Sequence, residues 1–218
     1  MSHPIWPLYD LRIRTPRLEL RLPTEAELVS LAEIALAGIH ADAEMPFSIP
    51  WTRLPSPEFE WGFVRYHWRT RGEWVPEHWT LELAAFRDGA PIGMQALLAG
   101  DFPRLRTVRT GSWLGLASQG RGLGKEMRAA ILAFAFDGLG ADVAETEAFA
   151  DNAASIGVTR ALGYEENGVG RMAPFGVPRE TTRFRLTRER WLRVRAERAL
   201  PHVTVAGLEP CLPLFGLG

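Results

Sequence analysis

Charged and apolar residues alternate through Arg17-Leu18-Glu19-Leu20-Arg21-Leu22, the period of a half-buried strand. The period then lengthens. Leu28, Leu31, Ile34 and Ala35 recur at helical spacing and stop near Gly38, and Thr24 with Glu27 makes a capping box at the start. The stretch 45–61 carries four prolines, which predicts a loop running into a second helix over about 57–71. Two strands follow within 78–102, joined at Asp88-Gly89, a dipeptide that favours a tight hairpin turn. Residues 107–116 read as another strand. From 121 to 139 Leu123, Met127, Ala130, Ile131, Phe134 and Ala135 form one helical stripe closed by Gly140. A strand is expected at 141–150 and a short helix capped by Asp151 or Asn152 to about 161. A strand opening at Gly163-Tyr164 and a strand entering a terminal helix in TTRFRLTRERW complete the pattern. This order predicts an α/β or α+β fold, a mixed sheet with helices on both faces.

Charge and cysteine content narrow the classes. The 218 residues carry 25 basic and 26 acidic side chains, a net charge of -1, so neither a nucleic-acid nor a membrane-surface partner is expected. Cys211 is the only cysteine, which excludes an internal disulfide framework and a CxxC site. Residues 1–20 lack a basic start followed by an apolar run, and no stretch approaches the roughly 20 apolar residues of a membrane span. A cytoplasmic protein is expected. The apolar, proline-broken tail after His202 is expected to pack on the body or on a partner subunit, which would make a homodimer.

The chemistry concentrates between the predicted strand at 107–116 and the helix that follows it. Gly120, Gly122 and Gly124 stand at alternate positions beside Arg121 and Lys125. A helix start leaves N–H donors without partners and favours an anion. Glycines let successive N–H groups converge on it. A phosphate or pyrophosphate cradle is the functional reading; a turn without a ligand is the bland one. The P-loop spacing fails because Glu126 follows Lys125, and GxGxxG fails because Lys125 stands where the last glycine belongs. ATP and NAD are therefore disfavoured.

Gln119-Gly120-Arg121-Gly122-Leu123-Gly124 resembles the acyl-CoA pyrophosphate loop of the GNAT N-acetyltransferase superfamily: Gln or Arg, two residues, Gly, one residue, Gly or Ala. TPRLELRLPTEAE (15–27) and DNAASIGVTRALGY (151–164) are similar to segments of the branch that acetylates ribosomal-protein N-termini. The resemblance covers about residues 10–190 as one acyl-CoA N-acyltransferase domain and leaves 191–218 as a terminal helix and apolar tail. It implies a central sheet that splays after the strand bearing Leu114 and Leu116, with the pantetheine of acetyl-CoA in the split. The pyrophosphate would lie on the N–H groups of 120–124, and Asn152 would bind the pantetheine or a water beside it. Ser155 matches a serine used near the sulfur; helix capping is its other reading. Thr159 occupies the position where many members carry a tyrosine acid.

The resemblance implies acyl-CoA-dependent transfer, acetyl by default, to a primary amine: a peptide N-terminus, a small amine or a lysine. A succinyl or other acyl donor stays open because Arg53, Arg65, Arg69 and Arg71 lie in the acceptor-side region and could meet a dicarboxylic acyl group. A non-catalytic acyl-CoA sensor is the alternative of another class. Glu82 and Asp101 come under consideration as general bases, each against the reading of a solvated or ion-paired surface carboxylate, with a water relay as a third route. Trp51, Trp61, Trp68, Trp74 and Trp79 could wall an acceptor site, or simply pack a core. The scattered histidines 3, 40, 67, 78 and 202 show no ligand spacing, so no metal is expected.

Overall fold

In the computed structural model, residues 3–41 and 44–218 are described. Met1 and Ser2, part of the stretch read for a secretion signal, lie outside them. The elements are β1 (Arg12–Arg14), β2 (Glu19–Arg21), α1 (Glu25–Leu36), α2 (Glu58–Gly72), β3 (His78–Arg87), β4 (Ala90–Gly100) and α3 (Phe102–Leu105). They continue through β5 (Thr107–Leu114), α4 (Leu123–Ala133), β6 (Val143–Phe149) and α5 (Ala153–Ala161) to β7 (Glu165–Met172), β8 (Arg179–Thr187), α6 (Arg188–Glu197) and β9 (Thr204–Ala206). One nine-stranded sheet has the order β7-β8-β6-β5-β4-β3-β2-β1-β9. Every neighbouring pair is antiparallel except β5 with β6, which is parallel. The expected mixed sheet with helices on both faces is thus observed.

Local chemistry explains most boundaries. Thr24 and Glu27 exchange the two bonds of a capping box at α1, worth about 1 kcal/mol. Asp88 and Gly89 both take positive φ, 51° and 81°, which the tight β3–β4 turn requires. The helix expected over 121–139 is α4 with a final π turn, Phe134–Gly138. The strand expected from residue 17 is instead a pair: β1 precedes it and turns at Thr15–Leu18 into β2.

The helices cover the sheet in two layers. Leu28, Leu31 and Ala35 of α1 and Phe59 and Phe63 of α2 pack on Ala84, Phe86 and Met94. On the other face Leu123, Met127, Ile131 and Phe134 of α4 pack on Leu81, Leu83, Leu97 and Val108. The tail joins this second core. β9 pairs with β1, Cys211 and Phe215 are fully buried, and the Trp74 indole N–H donates to the Leu214 carbonyl at 2.7 Å. The ring of Phe215 meets Trp74, Trp79 and Phe134 edge-on. The tail therefore packs on its own body. Phe215→Ala is expected to lower stability by about 3–5 kcal/mol through lost burial and a cavity, measured by chemical denaturation. A loss below about 1 kcal/mol would mean that the tail is not part of the core.

Gly93 sets how closely β4 and β5 approach. It pairs with Leu114, and a Cβ there would meet the Trp113 carbonyl oxygen at 2.2 Å and Leu114 Cα at 2.8 Å. Both obstacles are backbone, so only glycine lets the end of β5 lie against β4.

Candidate active site

Strands β5 and β6 pair only through Thr107–Arg109 and Val143–Glu145. Beyond that point the strands are joined by side chains, the Thr146 hydroxyl donating to the Thr110 carbonyl at 3.1 Å and Arg109 standing 3.9 Å from Glu147. Past these contacts β5 continues to Leu114 and β6 to Phe149 without pairing to each other, while β6 stays paired with β8 along its other edge. Backbone groups of β5 on the side away from β4 are left open along the split. Extended chain laid there could pair with them like an added strand.

The glycine segment closes the open end of this split. β5 ends at Leu114. Leu116, read as part of the strand, instead begins a 3₁₀ turn, Leu116–Ser118, and is half-exposed. Gly120 and Gly122 take φ of +72° and +74°, conformations that L side chains adopt only under strain. Gly122 is the N-cap of α4, and Leu123 and Gly124 form its first turn. Among the described residues the N–H groups of 120–124 donate to no protein acceptor. The side chains of Arg121 and Lys125 are exposed and enter no ion pair there. Orphan donors, a helix start and two cations make the geometry of an anion site.

Long-range bonds hold this loop in place. Both Gln119 side-chain N–H bonds go to backbone, to the carbonyls of Ile39 at 2.9 Å and Leu114 at 2.8 Å. Gln119 therefore ties α1's exit to the end of β5. Glu126, buried in α4, accepts from the Thr15 hydroxyl and from the Arg17 backbone N–H and guanidinium. Arg17 also donates to the Arg121 carbonyl at 3.1 Å, so the turn between β1 and β2 pins the glycine loop.

Across the split, Asn152 caps α5 by accepting from the Ser155 N–H at 3.0 Å. Its amide N–H groups and the half-buried Ser155 hydroxyl have no partner among the described residues. Leu114 and the 119–124 loop thus follow the unpaired part of β5, and Asn152 and Ser155 follow the unpaired part of β6.

The opposite face of the sheet carries a second set of groups. Glu82 pairs with Ala96, and Ala96 with Gly111 of the splayed strand. The three stand side by side under α2, so Glu82 lies two strand spacings, about 10 Å, from β5 across a floor of small residues. Glu82 is buried, and the Tyr66 hydroxyl donates to it at 2.6 Å. Burial pushes its carboxyl up to about 7, against the opposing effect of the Tyr66 bond. The solvated reading of Glu82 is thereby corrected: both faces of β3 are covered. Asp101 is an ion-paired surface group, 2.7 Å from Arg104.

Trp51 and Trp113 stack into an aromatic cluster with Phe59 and Phe63. Trp74 and Trp79 belong to the core around the tail, while Trp61 and Trp68 are exposed. Of the α2 arginines considered for an acidic acyl end, Arg71 is bound to Glu25 and the Pro23 carbonyl. Arg69 lies over the Tyr66 ring and Arg65 donates to the Trp61 carbonyl. The arginine that the fold does bring beside the split is Arg128 of α4, 2.9 Å from the Ser112 hydroxyl. Sequence reading missed it because it follows the apolar stripe of the helix.

A family model described as an acetyltransferase (GNAT) domain matches residues 17–165. Solved structures share the fold. Mycobacterium smegmatis RimJ, in complex with CoA-disulfide, is 19% identical over 88% of this chain and 96% of that chain, with a TM-score of 0.71. A GCN5-related N-acetyltransferase from Brucella melitensis is 21% identical over 85% and 82%, with a TM-score of 0.68. RimL, a ribosomal L7/L12 alpha-N-protein acetyltransferase in complex with coenzyme A, is 16% identical over 79% and 95%, with a TM-score of 0.64.

Proposed function

The chain belongs to the GNAT acetyltransferase family, and from that premise we propose that it acylates a protein N-terminus by direct attack within a ternary complex. It is an acyl-CoA-dependent N-acetyltransferase. The observation that carries the proposal is the split between β5 and β6, followed by a glycine loop whose N–H groups have no acceptor among the described residues. The loop at 120–124 would take the pyrophosphate, and the open edge of β5 the pantetheine. Asn152 would bind beside it. A protein N-terminus is the acceptor class because RimL, one of the fold relatives, is named for that activity.

Within the complex the uncharged amine attacks the thioester carbonyl carbon. The C–N bond forms, the C–S bond breaks, and the sulfur leaves as thiolate. Holding the two reactants in line supplies much of the rate. Glu82, whose carboxyl near 7 suits a general base at neutral pH, is the group to which the attacking nitrogen's proton would go. Ser155 stands at the start of α5, where its hydroxyl can donate to the leaving sulfur. Cys211 is a buried thiol, which suits a reducing cytoplasm.

Release of free CoA thiol from acetyl-CoA tests the proposal, with short peptides of varied N-terminal residue, small amines and lysine peptides as acceptors. Thiol release with a gain of one acetyl mass on a peptide N-terminus is expected. Release only with amines or lysine would reassign the acceptor. Acyl-CoA binding without release in any mixture would make the chain a sensor.

A further inference from the structure

A buried polar cluster lies at the vertex of the split, on the α4 side. Arg128 is 5% exposed, and its Nη2 donates to the Ser112 hydroxyl at 2.9 Å. Among the described residues its Nε and Nη1 have no partner at hydrogen-bond geometry, the nearest polar group being the Tyr164 hydroxyl. Among the described residues no carboxylate comes within ion-pair distance; Glu126, two positions before it, is already held by Arg17 and Thr15. Beside the guanidinium stands the buried Tyr164 hydroxyl, 3.4 Å from the Thr110 hydroxyl. Gln95, opposite Ser112 in the β4–β5 register, is fully buried with its side-chain carbonyl oxygen unpartnered.

A buried charge without a counter-charge is expensive to keep. Burial lowers the Arg128 pKa, with the Tyr164 hydroxyl opposing in part. Structural bracing of the split would not require this chemistry: serine and tyrosine can be joined by a neutral side chain. Nη2 keeps a second hydrogen beside its bond to Ser112, and with either Nε or Nη1 it forms one edge of the planar fork, which matches a carboxylate. Ser112 and its neighbours Gly111 and Trp113 are half-exposed on the unpaired part of β5, so the cluster sits directly behind the edge along which the donor would lie.

We propose that this cluster is the acyl end of the donor site, where Arg128, with Ser112 and Tyr164, receives the distal carboxylate of a short dicarboxylic acyl group such as succinyl. The proposal rests on the acyl-CoA reading above and adds a dicarboxylic donor to the acetyl-CoA of that reading. The distal carboxylate stays intact throughout. The amine takes the thioester carbon, the C–S bond breaks, CoA leaves as thiolate, and the amine proton goes to base. Binding would give Arg128 the counter-charge that the protein withholds, and an acetyl group could not.

Titration calorimetry with free CoA, acetyl-CoA, butyryl-CoA and succinyl-CoA is the test. Butyryl has the chain length of succinyl without its carboxylate. Succinyl-CoA is expected to bind about 10- to 100-fold more tightly than butyryl-CoA, the scale of a charge-assisted pair. Arg128→Gln should bring that ratio to about one, and Arg128→Lys should restore part of it. Butyryl-CoA binding as well as succinyl-CoA to the unaltered protein would overturn the proposal, and so would a preference that survives Arg128→Gln. Should Arg128→Gln not fold, Ser112→Ala replaces it: a lowered succinyl-to-butyryl ratio is expected, and an unchanged ratio would overturn the proposal. Failure to bind even free CoA is a different result, which would sink the acyl-CoA reading itself.

Discussion

Gly122→Trp should remove acyl-CoA binding, weakening a micromolar donor by more than about 1,000-fold, to beyond 1 mM. Two effects combine. Gly122 sits at φ +74° as the N-cap of α4, where an L side chain costs roughly 1–2 kcal/mol. The larger effect is steric. A Cβ at 122 would lie 3.6 Å from Arg17 Nη2, and the rest of an indole must then displace that guanidinium or fill the concave side of the loop. Either way the N–H groups of 120–124 lose their common focus. Gly122→Ala separates the two effects: it carries the backbone strain without the bulk and is expected to weaken binding only about tenfold. Calorimetry on both variants, with circular dichroism to show that each is folded, checks the result. Undiminished binding in Gly122→Trp would mean that the pyrophosphate lies elsewhere.

The loop could be read from the chain because its chemistry is local. Three glycines and two cations within six residues state both the backbone conformation and the charge, and the split strand follows from the family resemblance. The same holds for the Thr24–Glu27 box and the Asp88-Gly89 turn, where partners lie within three residues. Features made by distant partners were not legible. β9 is three residues long and pairs with β1 at the sheet edge, its partners 190 to 194 positions away. The tail's apolar residues look alike whether they cover a partner or the chain's own core; only the fold shows Phe215 against Trp79. The charge on Glu126 gives no hint that it will be spent on Arg17, 109 residues away. Arg128 shares its helix with an apolar stripe, and nothing in the spacing tells that it turns toward Ser112. Glu82 interrupts the apolar run Leu81–Phe86 of β3, a pattern of burial on both faces, yet a single carboxylate in such a run reads as a surface group until α2 is laid over it.

Glu82→Gln should therefore do opposite things to activity and to stability. As the base, Glu82 must be ionised, so kcat/KM should rise with pH through about 7 in the unaltered protein. The variant should lose that limb and about 10²–10⁴ in kcat. Stability follows from the same burial. The carboxyl goes from its ordinary 4.5 to about 7, so the folded chain holds this proton more tightly than the unfolded one. The stability it confers is complete below about 4.5 and is lost as pH rises through about 7. At about 1.4 kcal/mol per pH unit the loss at pH 8 is roughly 3 kcal/mol, and an uncharged glutamine escapes it. His67 of α2 works in the other direction. Burial, assisted by Arg71, pushes it down to about 4, so its contribution is present above its ordinary 6.5 and is lost as pH falls through about 4. Between about 4.5 and 6.5 the two slopes oppose and nearly cancel. Thermal unfolding of the unaltered protein should be flat there, while Glu82→Gln, left with His67 alone, should gain stability with rising pH and exceed the unaltered protein at pH 8. A variant more stable at pH 8 but undiminished in kcat would leave Glu82 buried and deny it the proton. Glu147 would then be the carboxylate to change next: it lies on the splayed part of β6 and accepts from the Thr181 hydroxyl. A variant with unaltered stability at every pH would mean that the carboxylate is reached by water, and the opposition of the two readouts would disappear with the burial that causes it.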